Sequence, residues 1–152
     1  MNSDFSKWNT ACDKMLKTAL EMRSKAYAPY SGFTVGAALL TKDDVIFGGC
    51  NVENASFSLT NCAERTAFFN AVSNGCKNFK AILIVGNTAE KTNVEYTYPC
   101  GSCRQVMREF CDDDFLVIVV KTDINGNVEQ YDIKPLSALL PNTFTLTPPL
   151  TK

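Results

Sequence analysis

Two short stretches of the chain hold the residue types best suited to chemistry. Residues 60–67 carry Cys62 and Glu64, and residues 99–103 carry Cys100 and Cys103. Three thiolates can bind zinc in a tetrahedral arrangement that leaves the fourth position for water, and a nearby carboxylate can move protons. The sequence therefore predicts a catalytic zinc site with three cysteine ligands and Glu64 as the acid and base.

Two other interpretations of these cysteines stay open at this point. The Cys-x-x-Cys spacing of Cys100 and Cys103 also fits a thioredoxin-like redox pair, although that assignment gives Cys62 and Glu64 no role. The other interpretation is a closed structural zinc site, which needs a fourth protein ligand. The candidates for that ligand are Cys50, Cys76 and Cys111.

Arg65 follows Glu64 directly and lies three positions after Cys62. Zinc bound by three thiolates carries one net negative charge, which weakens its ability to acidify a bound water. A guanidinium that donates to a ligand sulfur would offset this charge, so we expect Arg65 to support the site. The alternative is an ordinary exposed helix arginine.

The elements that must position these residues follow from the spacing of apolar positions. Helices are predicted from Phe5 to about Tyr27, from about residue 62 to 74, from 101 to 111 and briefly over 135–140. Strands are predicted over residues 33–41, 45–52, 79–85, 115–120 and 128–133, with Asn61 as a helix N-cap. This order favours an α/β fold, a three-layer α/β/α sandwich around a mixed five-stranded sheet. Both cysteine stretches lie at helix starts, where a thiolate is favoured.

Composition limits the classes of function. The 152 residues are expected to form one domain over 1–152. Lys and Arg total 15 and Asp and Glu total 16, so the sequence has no excess of positive charge of the kind that nucleic-acid binding requires. Apolar runs are strand-sized and no secretory signal is seen, so we expect no membrane span. The odd count of 7 cysteines favours reduced thiols and a cytoplasmic location, and the absence of histidine excludes a Cys-His or Ser-His nucleophile system within the chain.

Cys62-Ala63-Glu64 together with Pro99-Cys100-Gly101-Ser102-Cys103 matches the signature of zinc deaminases. Over about residues 26–144 the chain resembles the cytidine deaminase family, specifically its small three-cysteine tetrameric branch. Residues 26–38 are similar to the N-terminal signature of the family, which implies that Phe33 flanks the pyrimidine ring. Residues 51–55 are similar to the ribose-binding segment, which implies that Asn51 and Glu53 bind the sugar hydroxyls. From the residues alone, Phe33 would be assigned to the core and the other two to a polar loop.

The resemblance implies a homotetramer with one Zn²⁺ per subunit and a pocket that assembly completes. It implies that the backbone near Ala63 and Cys100 positions the base. Phe57 stands where the family often has tyrosine, and Phe144 is similar to a C-terminal aromatic that reaches a neighbouring subunit. The implied reaction is hydrolytic deamination of cytidine and deoxycytidine to uridine and deoxyuridine with release of ammonia, as in pyrimidine salvage.

Other functions are weighed against this one. A deaminase of single-stranded nucleic acid needs a positive groove, which the charge balance disfavours. A non-catalytic zinc module leaves Glu64 unexplained. A nucleoside-antibiotic deaminase with the same zinc core is the nearest enzymatic alternative. Glu53 favours a small nucleoside over a nucleotide, because a carboxylate beside the sugar repels a phosphate.

Overall fold

The computed structural model describes residues 9–88, 96–123 and 125–146. Its helices are α1 (Thr10–Ser24), α2 (Ala63–Ser73), α3 (Gly101–Phe110) and α4 (Leu136–Leu139). Its strands are β1 (Phe33–Thr41), β2 (Ile46–Cys50), β3 (Phe79–Thr88), β4 (Leu116–Thr122) and β5 (Val128–Pro135). Among these described helices, none has the length and apolar character needed to cross a bilayer.

The five strands form one mixed sheet in the order β2-β1-β3-β4-β5. β1 is antiparallel to both β2 and β3, and β3 is parallel to β4, so β2, β3 and β4 all run in the same direction. α2 follows β2 along the chain and α3 follows β3, so both helices begin at the carboxyl-end edge of the sheet. Strand direction thus brings the two cysteine stretches to one place.

Alternate residues of the buried strands pack against helices on opposite faces of the sheet. On one face, residues such as Leu39 and Ile82 form a core with α2 and α3. On the other face, residues such as Leu40 and Leu83 form a second core with α1. The predicted three-layer sandwich and its mixed five-stranded sheet are therefore confirmed.

Gly49 on β2 allows α2 to approach the sheet closely. A Cβ at this position would lie 2.3 Å from the backbone nitrogen of Ala67 and 2.5 Å from the backbone oxygen of Ala63. Side chains larger than hydrogen are excluded because both of these atoms belong to backbone. The first turn of α2 is thus fixed against the strand that leads to the site.

Several predicted boundaries need correction. The first helix starts at Thr10, because Asn9 is extended and its side chain accepts hydrogen bonds from the backbone of Ala11 and Cys12. The part of that prediction over residues 5–8 lies outside the described residues. The cap of the second helix is Cys62 and not Asn61.

The strands also differ from their predicted lengths. β2 stops at Cys50, two residues early. β3 continues through Gly86 to Thr88, where it still pairs with Phe33. A short 3₁₀ turn, Phe57–Leu59, lies between β2 and α2.

Candidate active site

The three predicted metal ligands meet at the N-termini of α2 and α3. Cys62 and Cys100 are the N-caps of these helices, and Cys103 is buried in the first turn of α3. The Sγ of Cys100 lies 3.9 Å from that of Cys62 and 3.5 Å from that of Cys103, and all three sulfur atoms lie within 4.8 Å of one another. The helix ends present unpaired N–H groups and partial positive charge, which favour thiolates.

This sulfur cluster fits zinc. Tetrahedral zinc with Zn–S bonds of about 2.3 Å places its sulfur ligands about 3.8 Å apart, close to the distances between these sulfur atoms. All seven cysteines are free thiols, and among the described residues the metal-sized cluster contains only these three. The predicted alternatives for a fourth ligand, Cys50, Cys76 and Cys111, are not part of it. Among the described residues, the arrangement is that of a three-ligand site, which leaves the fourth tetrahedral position open.

Glu64 lies in the first turn of α2 with only 5% of its surface exposed. Positions two apart on a helix face different directions, but Cys62 is extended and lies outside the helix, so this limit does not apply to Cys62 and Glu64. Burial raises the pKa of Glu64 to about 7. A carboxyl group with a pKa near neutrality can both accept and donate a proton.

Arg65 contacts the cluster as the sequence predicted. Its Nη2 donates to the Sγ of Cys62 at 3.5 Å and to the carbonyl oxygen of Thr60 at 3.2 Å. Hydrogen bonds from Cys103 and from Arg65 lower the pKa of Cys62 to about 5. The hydrogen bond with Cys62, together with burial, raises the pKa of Cys103. The guanidinium thus stabilises negative charge on a ligand sulfur.

A cavity of about 230 Å³ opens beside the cluster. Most of the residues predicted from the resemblance line it: Phe33, Asn51, Glu53, Cys62, Ala63, Glu64 and Cys100. Sequence reasoning did not assign a role in the site to the remaining lining residues, Ser31, Val35, Thr60, Asn61, Thr97 and Tyr98. The cavity therefore brings an acid, an aromatic ring and two sugar-binding candidates to the edge of the thiol cluster.

Asn51 and Glu53 are both held by the segment that carries Phe33. The amide of Asn51 donates to the carbonyl oxygen of Phe33 at 2.9 Å and accepts from the backbone N–H of Val35 at 2.8 Å. Glu53 accepts from the backbone N–H of Tyr30 at 2.9 Å. Each side chain retains hydrogen-bonding capacity for a ligand, since an amide has four hydrogen-bonding positions and a carboxylate about four acceptor sites.

The two predicted intersubunit aromatics lie outside this cavity. Phe57 is 73% exposed and Phe144 is 68% exposed. Phe57 packs edge-on against Tyr30 with ring centroids 5.8 Å apart. It lines a neighbouring hollow of about 440 Å³ that shares Ser31, Glu53 and Thr60 with the cavity. Their role at a subunit interface stays a prediction.

Tyr98 is a cavity residue that the sequence analysis missed. Its hydroxyl donates to the carboxylate of Asp132 on β5, which also pairs with Lys134 at 3.4 Å. Its position directly before Pro99 and Cys100 was the available signal in the sequence. Nothing in the sequence linked Tyr98 to Asp132, which lies 34 positions away.

Comparison with known proteins agrees with this geometry. The profile of the family described as "Cytidine and deoxycytidylate deaminase zinc-binding region" matches residues 10–119. The chain is 44% identical to a cytidine deaminase from Sporosarcina psychrophila over 133 residues, which cover 88% of this chain and 90% of the relative. It is 45% identical to a cytidine deaminase from Halalkalibacterium halodurans, with 86% and 92% covered.

The fold is likewise similar to solved structures. The crystal structure of a cytidine deaminase from Burkholderia pseudomallei superposes with a TM-score of 0.73 at 45% sequence identity. The matched region covers 87% of this chain and 98% of that one. The sheet, the flanking helices and the zinc-binding region thus all have counterparts among known proteins.

Proposed function

The chain belongs to the cytidine and deoxycytidylate deaminase family and is a zinc-binding hydrolase of the cytidine deaminase class, and on that premise we propose that it deaminates both cytidine and deoxycytidine. The products are uridine or deoxyuridine and ammonia, which places the reaction in pyrimidine salvage. We propose that one catalytic domain over residues 1–152 carries this activity.

One observation supports the proposal above all others. Three thiol sulfur atoms lie within 4.8 Å of one another, and two of these cysteines, Cys62 and Cys100, line a cavity together with the buried Glu64. A redox pair would need only Cys100 and Cys103, and a structural zinc site would need a fourth ligand. An open metal position beside an acid is the requirement of a hydrolase.

Cys62, Cys100 and Cys103 would hold the zinc ion, which when bound supplies a Lewis acid that lowers the pKa of water. Glu64 takes a proton from the attacking water and delivers it to ring N3, which makes C4 electrophilic. After the hydroxide has added to C4, the same carboxyl group takes the remaining proton of that hydroxyl and passes it to the amino group, which leaves as ammonia while the C4 carbonyl forms. Arg65 offsets the negative charge of the thiolates through its contact with Cys62.

The base and the sugar are bound by the other residues of the cavity. Phe33 flanks the pyrimidine ring, and the backbone near Ala63 positions the base. Asn51 and Glu53 bind the sugar hydroxyls. Hydrogen bonds from the hydroxyl of Ser31 and the N–H of Tyr30 lower the pKa of Glu53, which keeps it ionised. A fixed negative charge beside the sugar disfavours a 5′-phosphate, so nucleosides are preferred over nucleotides.

A spectrophotometric panel tests the substrate assignment. Purified enzyme is assayed on cytidine, deoxycytidine, cytosine, deoxycytidylate and adenosine, with and without a chelator. Turnover of the two cytosine nucleosides, lost with the chelator and restored by zinc, supports the proposal. Inactivity on both nucleosides, or a preference for deoxycytidylate, contradicts it.

We further propose a cytoplasmic homotetramer. Free thiols at all seven cysteines fit a reducing compartment. Several apolar residues on the segments that carry the cavity residues Ser31, Glu53 and Thr60 are exposed, which favours their burial against another subunit. These residues are Tyr27, Tyr30, Val52, Phe57 and Leu59. Light scattering coupled to size-exclusion chromatography measures the assembly, and a monomer at assay concentration would contradict it.

A further inference from the structure

The carboxylate of Glu53 is held on both of its oxygen atoms by one short turn. Oε2 accepts from the backbone N–H groups of Tyr30 at 2.9 Å and of Ser31 at 3.2 Å. Oε1 accepts from the side-chain hydroxyl of Ser31. The turn itself is closed by the N–H of Gly32, which donates to the carbonyl oxygen of Ala28 at 3.0 Å. Gly32 adopts a φ of 66°, a conformation that favours glycine.

The direction of the hydroxyl bond is fixed by its surroundings. A carboxylate can only accept, so the single proton of the Ser31 hydroxyl must point to Glu53. The backbone N–H of Phe33 donates to the Oγ of Ser31 at 3.0 Å, which occupies a lone pair of the oxygen. The result is a chain of hydrogen bonds from Phe33 through Ser31 to Glu53, in which each bond strengthens the next.

The Ser31 hydroxyl thereby fixes the second carboxylate oxygen of Glu53, whose first oxygen is already held by two backbone N–H groups. Glu53 lies beyond the end of β2, and its side chain is only partly buried. Ordering a glutamate on binding costs side-chain entropy, and a carboxylate fixed in advance avoids that cost. Ser31 and Glu53 both line the cavity beside the thiol cluster.

We propose that Ser31 is a positioning residue that holds the carboxylate of Glu53 in place for the sugar hydroxyls. The inference rests on the proposed function, because it takes Glu53 as a sugar-binding residue. Ser31 acts through Glu53 and takes no part in the chemistry at C4. Its loss therefore weakens nucleoside binding and leaves the catalytic step intact.

Steady-state kinetics on the zinc-loaded enzyme test this with a double-mutant cycle. Removal of a hydrogen bond to a charged group by Ser31→Ala should raise KM for cytidine about tenfold, with kcat within about twofold of the parent. Ser31→Thr keeps the hydroxyl and should restore KM. The double variant Ser31→Ala/Glu53→Gln should match Glu53→Gln alone, since one residue acts through the other.

Two controls sharpen the test. Ser24→Ala removes a hydroxyl that donates to the carbonyl oxygen of Glu21 at 2.7 Å on α1, and should leave KM unchanged. The inhibition constant of 2′,3′-dideoxycytidine, which lacks the 2′ and 3′ hydroxyls that Glu53 would bind, should be the same for the parent and Ser31→Ala. Zinc content should be equal in all variants.

The possible outcomes distinguish the sugar-binding role of Glu53 from the positioning role of Ser31. If Glu53→Gln leaves KM for cytidine unchanged, the proposed sugar role of Glu53 is wrong and the inference is overturned with it. If Glu53→Gln raises KM while Ser31→Ala does not, or if the effects of the two substitutions simply add, only the positioning role is overturned. A Ser31→Ala variant that loses zinc, or weakens dideoxycytidine as strongly as cytidine, also overturns it.

Discussion

The Sγ atoms of Cys62 and Cys100 lie 3.9 Å apart, although 38 positions separate these residues along the chain. Each caps a different helix, and each helix follows a strand that runs in the same direction. The metal centre is therefore a product of strand order. Neither cysteine stretch can form it alone.

Removal of the metal should lower thermal stability and abolish activity. Ligands that bind only the folded state stabilise it by about 4 kcal/mol when present at a thousandfold excess over Kd. Thermal melts with a chelator, and again after zinc is restored, measure this shift. Cys103→Ser should lose the response to zinc, while Cys76→Ser, outside the cluster, should keep it. A melting temperature of the parent enzyme that does not depend on zinc would contradict the prediction.

Glu64→Gln should bind zinc but turn over cytidine poorly. The substitution removes the proton carrier and keeps the three ligands, so kcat should fall by roughly 10²- to 10⁴-fold or more. Metal analysis and initial rates on the same preparation measure both properties. Glu109→Gln, on the exposed part of α3, is the matched control. Near-parental turnover by zinc-loaded Glu64→Gln would show that another group carries the protons.

Gly49→Ala should destabilise the fold more than the neighbouring substitution Gly48→Ala. At Gly49 the new methyl group meets backbone atoms of α2 at 2.3 and 2.5 Å. At Gly48 it meets the flexible side chain of Met22 at 2.6 Å, which can move. Overpacking against fixed atoms costs about 1–3 kcal/mol. Urea unfolding curves measure the free energy of unfolding of both variants. Equal losses of stability relative to the parent would contradict this prediction.

Tyr98→Phe should cost stability at neutral pH and less in acid. Burial alone would raise the pKa of Asp132, but hydrogen bonds from Tyr98 and Lys134 outweigh it and lower the pKa. A carboxylate with a lowered pKa stabilises the fold above its unfolded pKa, and this contribution is lost as the pH falls through the folded value. The expected loss at pH 7 is about 1 kcal/mol.

Thermal melts over a range of pH measure this difference between Tyr98→Phe and the parent. Tyr96→Phe is the control. The ring of Tyr96, whose centroid lies 4.6 Å from the ammonium of Lys121, is kept in this variant, and only the hydroxyl is removed. A difference that grows as the pH falls would show that the hydroxyl of Tyr98 does not act through an ionised Asp132.

The sequence was sufficient for the three cysteines of the cluster because their chemistry is local, and the role of the neighbouring Glu64 as the acid stays a prediction. Cys62 and Glu64 lie two positions apart, and Cys100 and Cys103 share one turn. The layers of the fold were also predictable, since apolar periodicity reports which face of an element is buried. The N-cap of α2 was predicted one residue early, because Asn61 has the better intrinsic preference for a cap while Cys62 is the residue that holds the extended cap conformation.

Contacts between residues that lie far apart along the chain could not be predicted from the sequence. The bond from Ser31 to Glu53 spans 22 positions, and the bond from Tyr98 to Asp132 spans 34. A serine in a turn and an aspartate in a strand are common residues with many possible partners. Only the pairing of β1 with β2 and β3, and of β4 with β5, brings these side chains together.

The shared direction of β2, β3 and β4 also decides where the chain can be altered. Their amino ends are reached by turns near residues 42–45, 74–78 and 111–115, on the edge opposite the cavity. Asn74 and Gly75 in the second of these turns are exposed and lie far along α2 from Cys62. A fused reporter or a surface attachment point at this edge would leave the substrate entrance open, which suits the enzyme to immobilisation.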